Sequence, residues 1–234
     1  LAVSLVPAIS KARALDDKKL VYKQTASGVR ISNFVCFPAF IVVMALATPI
    51  STLIYNAPGA GPAVWVSSFS IVLLGLHQVS TAVLQGLGHP SIPMINMILA
   101  AAVKVILNWV LTAQPSLGIM GAAWATAADM GVAAIINMYF IYRYIGYRIE
   151  IPQLLKTVFA AGVMAVATYF FYDLTFDYFG SLAFSTFGAV FAGCGVYLVV
   201  LLCIGGMLQE DIERVPMVGR YAIRFLTKIG VFKA

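Results

Sequence analysis

The chain is written as long apolar stretches separated by short polar ones. From Ile31 to Val103 there is no Asp, Glu, Lys or Arg. A membrane-crossing helix needs about 20 apolar residues, so this stretch alone holds three. Backbone amides in lipid must bond within their own segment, so each apolar run is read as helix. The alternating pattern of an outer-membrane barrel is absent. The pattern predicts an all-α, polytopic membrane helix bundle with six full spans, at about 33–55, 64–87, 92–112, 118–143, 155–172 and 182–207. The opening LAVSLVPAIS, residues 1–10, reads as the last turns of a seventh helix, and the chain as the C-terminal part of a longer polytopic protein. A basic, partly helical connection at 11–32 leads into four spans over 33–146, two further spans over 147–207, and a charged tail at 208–234. Pro38 and Pro49 can kink the first span.

Charge sharpens the topology. The 234 residues are 62% hydrophobic and 10% charged, where a soluble domain carries roughly 25% charged residues. If the spans alternate, all basic residues except Lys104 fall on one side: Lys11 to Arg30, Arg143 to Lys156, and the tail. Cytoplasmic loops are the Lys- and Arg-rich ones, so that side, with the ends of the complete spans, is expected in the cytoplasm of a cell-membrane protein. The opposite loops carry only Asp173 and Asp177. The net charge of +6 is thereby explained by topology, and nucleic-acid binding is not needed. In the tail, Arg220, Arg224 and Lys228 recur on one helical face, and Val218, Ala222, Phe225 and Ile229 on another. Like charges at that spacing repel in water but are favoured beside anionic headgroups, which points to an interfacial helix. The plainer reading is a basic tail that acts only as a topology signal.

The candidate chemistry lies inside the spans. Away from the span ends, Lys104 and Asp129 are the only charged side chains within any of them. A charge at the centre of a membrane helix costs about 2.5–3.5 kcal/mol on insertion scales. Both fall near the midplane of adjacent antiparallel spans, so a pair is expected, either as a brace or as a cation facing a cavity. Asn96, Lys104 and Asn108 form a polar stripe on their helix. Such a stripe faces a water-filled path or a partner helix. His77 and Gln78 line a cavity or bridge to a neighbour. Gly118, Gly121, Ala122 and Ala123 let a neighbouring helix come close. Cys36, Cys194 and Cys203 lack metal-ligand spacing and are read as structural thiols. No serine elbow, phosphate loop or haem motif is visible.

Several pieces, taken together, resemble one group. They are LVPAIS before a basic connection, LQGLGHPSIP, VKVILNWVL and LGIMGAAWAT. They are similar to the stage V sporulation protein B group of polysaccharide-biosynthesis membrane proteins. That group belongs to the multidrug/oligosaccharidyl-lipid/polysaccharide exporter superfamily, with the lipid II flippases of peptidoglycan synthesis as relatives. The resemblance implies two six-helix lobes and two extra C-terminal helices, around a cavity that opens alternately to each side. It implies a lipid-linked sugar as cargo and membrane lipids and an N-terminal lobe as partners. It implies translocation without catalysis, metal or organic cofactor, with ion coupling left open. Two other readings stand beside it. A cation-coupled drug exporter of the same superfamily would need carboxylates in the N-terminal lobe. A membrane-embedded cell-wall glycosyltransferase would need carboxylates at a membrane surface, and nothing around Asp173 and Asp177 resembles such a site.

Overall fold

The computed structural model describes residues 2–206. Apart from its turns this part is all helix: α1 (Ala2–Ala14), α2 (Lys18–Ala45), α3 (Ala47–Tyr55), a 3-10 turn (Pro58–Ala60), α4 (Gly61–Gly86), α5 (Ser91–Thr112), α6 (Ile119–Ile145), α7 (Ile151–Phe179) and α8 (Leu182–Cys203). Among the described residues, six helices are long and apolar enough to cross a membrane: α2, α4 with its preceding turn, α5, α6, α7 and α8. The chain is a multi-pass membrane helix bundle. The tail face of Arg220, Arg224 and Lys228 lies outside the described residues.

The first span begins earlier than its apolar run. Helix α2 starts at Lys18, where the Asp17 carboxylate accepts a hydrogen bond from the Leu20 amide at 2.9 Å and caps it. Residues Thr25 to Arg30, polar by composition, form the most continuous buried stretch of the helix. From Thr25 to Gly28 the side chains are small, and the Thr25 hydroxyl bonds back to the Val21 carbonyl at 2.9 Å. Gly28 admits α1, since a Cβ there would stand 2.8 Å from Leu5 Cδ2. The other end of the span is divided. Helix α2 passes through Pro38 but stops at Ala45, and α3 resumes at Ala47. Pro49 explains the break: it has no N–H for the Ala45 carbonyl, and its ring crowds that oxygen.

The LQGLGHP motif closes α4 and ties three helices at the basic end of the bundle. Gly86 lies against α1, where a Cβ would meet Ile9 Cβ at 2.8 Å and the Val6 carbonyl at 3.0 Å. Gly88 turns the chain with φ +76, and a Cβ there would collide with the Arg13 guanidinium. The His89 ring stacks on Tyr144 at the end of α6, with centroids 4.4 Å apart. At the opposite end, Gly121 brings α6 onto the end of α5: a Cβ would stand 2.6 Å from the Leu111 carbonyl carbon. A Cβ at Gly118, by contrast, would meet nothing within 4 Å.

Helices α4, α5 and α6 pack side by side, with α1 and α2 across α4. Helices α7 and α8 form a separate hairpin. It docks on α2 through Phe34, Ile41, Ala160, Ala161, Met164, Tyr197 and Leu201. The Tyr197 hydroxyl donates to the Phe34 carbonyl at 3.2 Å. Neither α7 nor α8 packs against α4, α5 or α6, which leaves a crevice between the hairpin and the rest.

Candidate functional site

The Lys104–Asp129 pair and an asparagine pair beside it join α5 to α6, with polar groups of α4 next to them. Helices α5 and α6 form an antiparallel hairpin, so residues pair across it in a fixed register. Lys104 Nζ stands 3.6 Å from Asp129 Oδ2. Eight residues away on each helix, Asn96 Nδ2 donates to Asn137 Oδ1 at 2.8 Å. The two polar rungs are therefore about 12 Å apart along the hairpin. Helix α4 adds hydrogen bonds to the asparagine rung. The Asn137 amide donates onward to Thr81 Oγ1 at 3.1 Å and Ser80 Oγ at 3.3 Å. His77 lies within electrostatic reach of the Asp129 carboxylate, and its buried Nδ1 has no hydrogen-bond partner among the described residues.

The rungs differ in what they leave free. Asn96 and Asn137 are both buried, and their amides are committed to one another and to α4. Buried polar side chains of this kind hold membrane helices together, because the alternative is an unsatisfied group in hydrocarbon. In the other rung the Asp129 side chain is 11% exposed and that of Lys104 is 39% exposed. The acid is enclosed and the ammonium reaches out past it. One turn further along α5, Asn108 is exposed.

A second polar surface runs along α4. His77, Gln78, Thr81 and Gln85 line a crevice of about 590 Å³ whose other wall is Ala2, Val3, Val6 and Pro7 of α1. Positions 78, 81 and 85 recur at helical spacing, so they share a face. Gln78 and Gln85 are exposed there.

Of the candidates read from the sequence, Lys104 and Asp129 are brought together, Asn96 turns into the helix interface, Asn108 is exposed farther along α5, and Gln78 lies in the α1–α4 crevice. Asn137, Thr81 and Gln85 were not singled out by sequence reasoning. The signal for Asn137 was present: Asn96 to Lys104 and Asp129 to Asn137 are equal offsets in antiparallel helices. Among the described residues no group of three His, Cys, Asp or Glu side chains is placed to hold a metal ion.

Comparisons with known proteins agree on one lineage. The chain is 25% identical over 224 residues to the stage V sporulation protein B of Bacillus subtilis, covering 96% of this chain and 43% of that protein. It is 27% identical over 223 residues to the uncharacterized membrane protein YabM of the same organism, covering 92% of this chain and 41% of that one. It is 21% identical over 175 residues to the probable low-salt glycan biosynthesis flippase Agl15 of Haloferax volcanii, covering 70% of this chain and 36% of that one. The chain thus spans less than half the length of these curated relatives. Residues 1–190, which take in α1 to α7 and both polar rungs, match the family described as Lipid II flippase MurJ, and the chain belongs to that family.

Proposed function

We propose that the protein to which this chain belongs translocates a lipid-linked oligosaccharide or peptidoglycan precursor across the cytoplasmic membrane by alternating access. The observation that carries the reading is Lys104, a part-exposed ammonium in the middle of α5, a helix with no other cation. Such a cation suits a pyrophosphate-linked cargo, because the pyrophosphate is the charge that has to cross the hydrocarbon. Asp129 holds Lys104 in place, and Gln78, Thr81 and Gln85 supply hydrogen-bonding groups beside α1. Two relatives support the class of activity: one is named for sporulation, the other as a probable glycan biosynthesis flippase. An N-terminal lobe of the same protein would close the other half of the cargo path. Translocation breaks no covalent bond, so no catalytic residue is assigned. The test is transport by the whole protein in vesicles, with a fluorescent lipid-linked oligosaccharide confined at first to one leaflet. The label should become accessible from the other leaflet at a rate that rises with protein content. A rate equal to that of protein-free vesicles would overturn the reading.

The proposed orientation puts the basic end of the bundle in the cytoplasm, following the asymmetry of Lys and Arg. Its check uses cysteine labelling in cells, with Cys36, Cys194 and Cys203 replaced. Gly59→Cys, in the turn before α4, should react with an impermeant maleimide from outside. Lys19→Cys, at the start of α2, should react only after the membrane is permeabilised. Reaction of Lys19→Cys in intact cells would reverse the orientation.

A further inference from the structure

At the end of the bundle away from the basic connections, the crevice between the α7–α8 hairpin and the other helices widens to about 940 Å³. Four aromatic side chains face it: Trp65 of α4, Trp124 of α6, and Tyr169 and Tyr172 of α7. The two tryptophans are held by one phenylalanine. The Phe69 ring lies 5.3 Å from Trp65, edge to face, and 5.5 Å from Trp124, stacked. Asp173, exposed, is the one charged residue of the lining. The rest is apolar apart from Thr48 and small residues of α3 and α4.

No cation of this chain can answer that carboxylate from nearby in sequence. There is no Lys or Arg between residues 31 and 103, between 105 and 142, or between 157 and 213, and Lys104 is engaged with Asp129. Aromatic faces attract ammonium groups through the ring quadrupole, and they do so more strongly as the site is drier. A carboxylate beside several aromatic faces, with an apolar floor, is complementary to a cation that carries hydrocarbon with it. A sugar would ask for many more hydrogen-bonding groups than Thr48, two tyrosines and one acid provide.

We propose that this crevice binds a membrane phospholipid with a primary-ammonium headgroup, the ammonium against Asp173 and the aromatic rings, the acyl chains between the α7–α8 hairpin and α4 and α6. An anionic lipid is disfavoured there, since its charge repels Asp173 and finds no basic partner in the lining.

The test uses the whole protein, delipidated in mild detergent, with binding read by native mass spectrometry. The probes are dioleoylphosphatidylethanolamine, its N-acetylated form and dioleoylphosphatidylglycerol. The ethanolamine lipid should bind roughly tenfold more tightly than either of the others. Asp173→Asn should remove that preference, as should Trp65→Leu combined with Trp124→Leu. Asp173 is exposed, so its amide variant keeps the fold. Asp177→Asn, one turn farther along α7, should bind as the parent does. Equal binding of the N-acetylated lipid, or an unchanged preference in Asp173→Asn, would overturn the proposal. So would displacement of the lipid by soluble ethanolamine phosphate at equal concentration, since the site would then not be one for lipid.

Discussion

Lys104→Met in the whole protein is expected to lose both stability and transport, and Lys104→Met with Asp129→Leu is expected to recover the first without the second. The single change leaves the enclosed carboxylate of Asp129 without its ammonium. Breaking a fully buried ion pair from one side costs about 3–5 kcal/mol. The Lys104 side chain is 39% exposed and the N···O separation is 3.6 Å, so a loss of about 2 kcal/mol is the better expectation here. Removing both charges leaves none uncompensated, and two apolar side chains pack between α5 and α6 at that rung. The thermal midpoint in detergent should therefore fall in the single variant and return most of the way in the double. Transport should stay near background in both, because α4, α5 and α6 carry no other cation at mid-helix. A double variant that regains transport together with its melting point would reduce the pair to a brace between two helices.

The parts that were legible in the sequence are those where chemistry alone restricts the answer. Six spans follow from the apolar runs because a polar backbone in hydrocarbon has few other options. The Lys104–Asp129 contact follows because two isolated charges at one depth in adjacent spans have a single inexpensive arrangement. The early start of α2 was hidden for the opposite reason. Thr25, Ala26, Ser27 and Gly28 are polar or small, a composition shared by loops and by tightly packed helix interfaces. Only the close approach of Leu5 to Gly28 decides between them. Asn96 shows the limit of periodicity. It shares a face with Lys104 approximately, yet its amide turns to Asn137 across the hairpin while the Lys104 ammonium stays partly open. A stripe on one helix does not say which of its members a neighbour will claim. Arg30 illustrates the same limit, since a count of basic residues treats it as one more topological charge, although its side chain is only 9% exposed.

Arg30 supplies the second large effect, and its sign pattern differs from that of Lys104. Its Nη1 stands 2.9 Å from Oε2 of Glu150, the residue that precedes α7. The contact fixes the start of the α7–α8 hairpin to the buried stretch of α2. Tyr147 completes the joint: it is 1% exposed, and its ring meets Tyr22 of α2 edge to face at 5.3 Å. Burial above all, and then the Glu150 carboxylate, push the Tyr147 phenol well above its ordinary range, with Arg30 pulling the other way. The phenol is neutral in the folded protein, so it adds no charge to the guanidinium and carboxylate that meet there. The two partners are not equally enclosed, at 9% exposure for the Arg30 side chain and 32% for Glu150. A guanidinium cannot shed its proton to escape an apolar site, whereas a part-exposed carboxylate can return to water. Glu150→Leu should therefore be the costlier change, at about 3 kcal/mol, and Arg30→Met the milder, at about 1–2 kcal/mol. Arg30→Met with Glu150→Leu should lie closer to the parent than Glu150→Leu alone. Thermal midpoints of the four proteins in one detergent give the cycle. The joint is remote from the mid-span cation, so transport by each variant should follow its folded fraction. An Arg30→Met variant that melts below Glu150→Leu would mean that the carboxylate, not the guanidinium, is the charge the fold has enclosed.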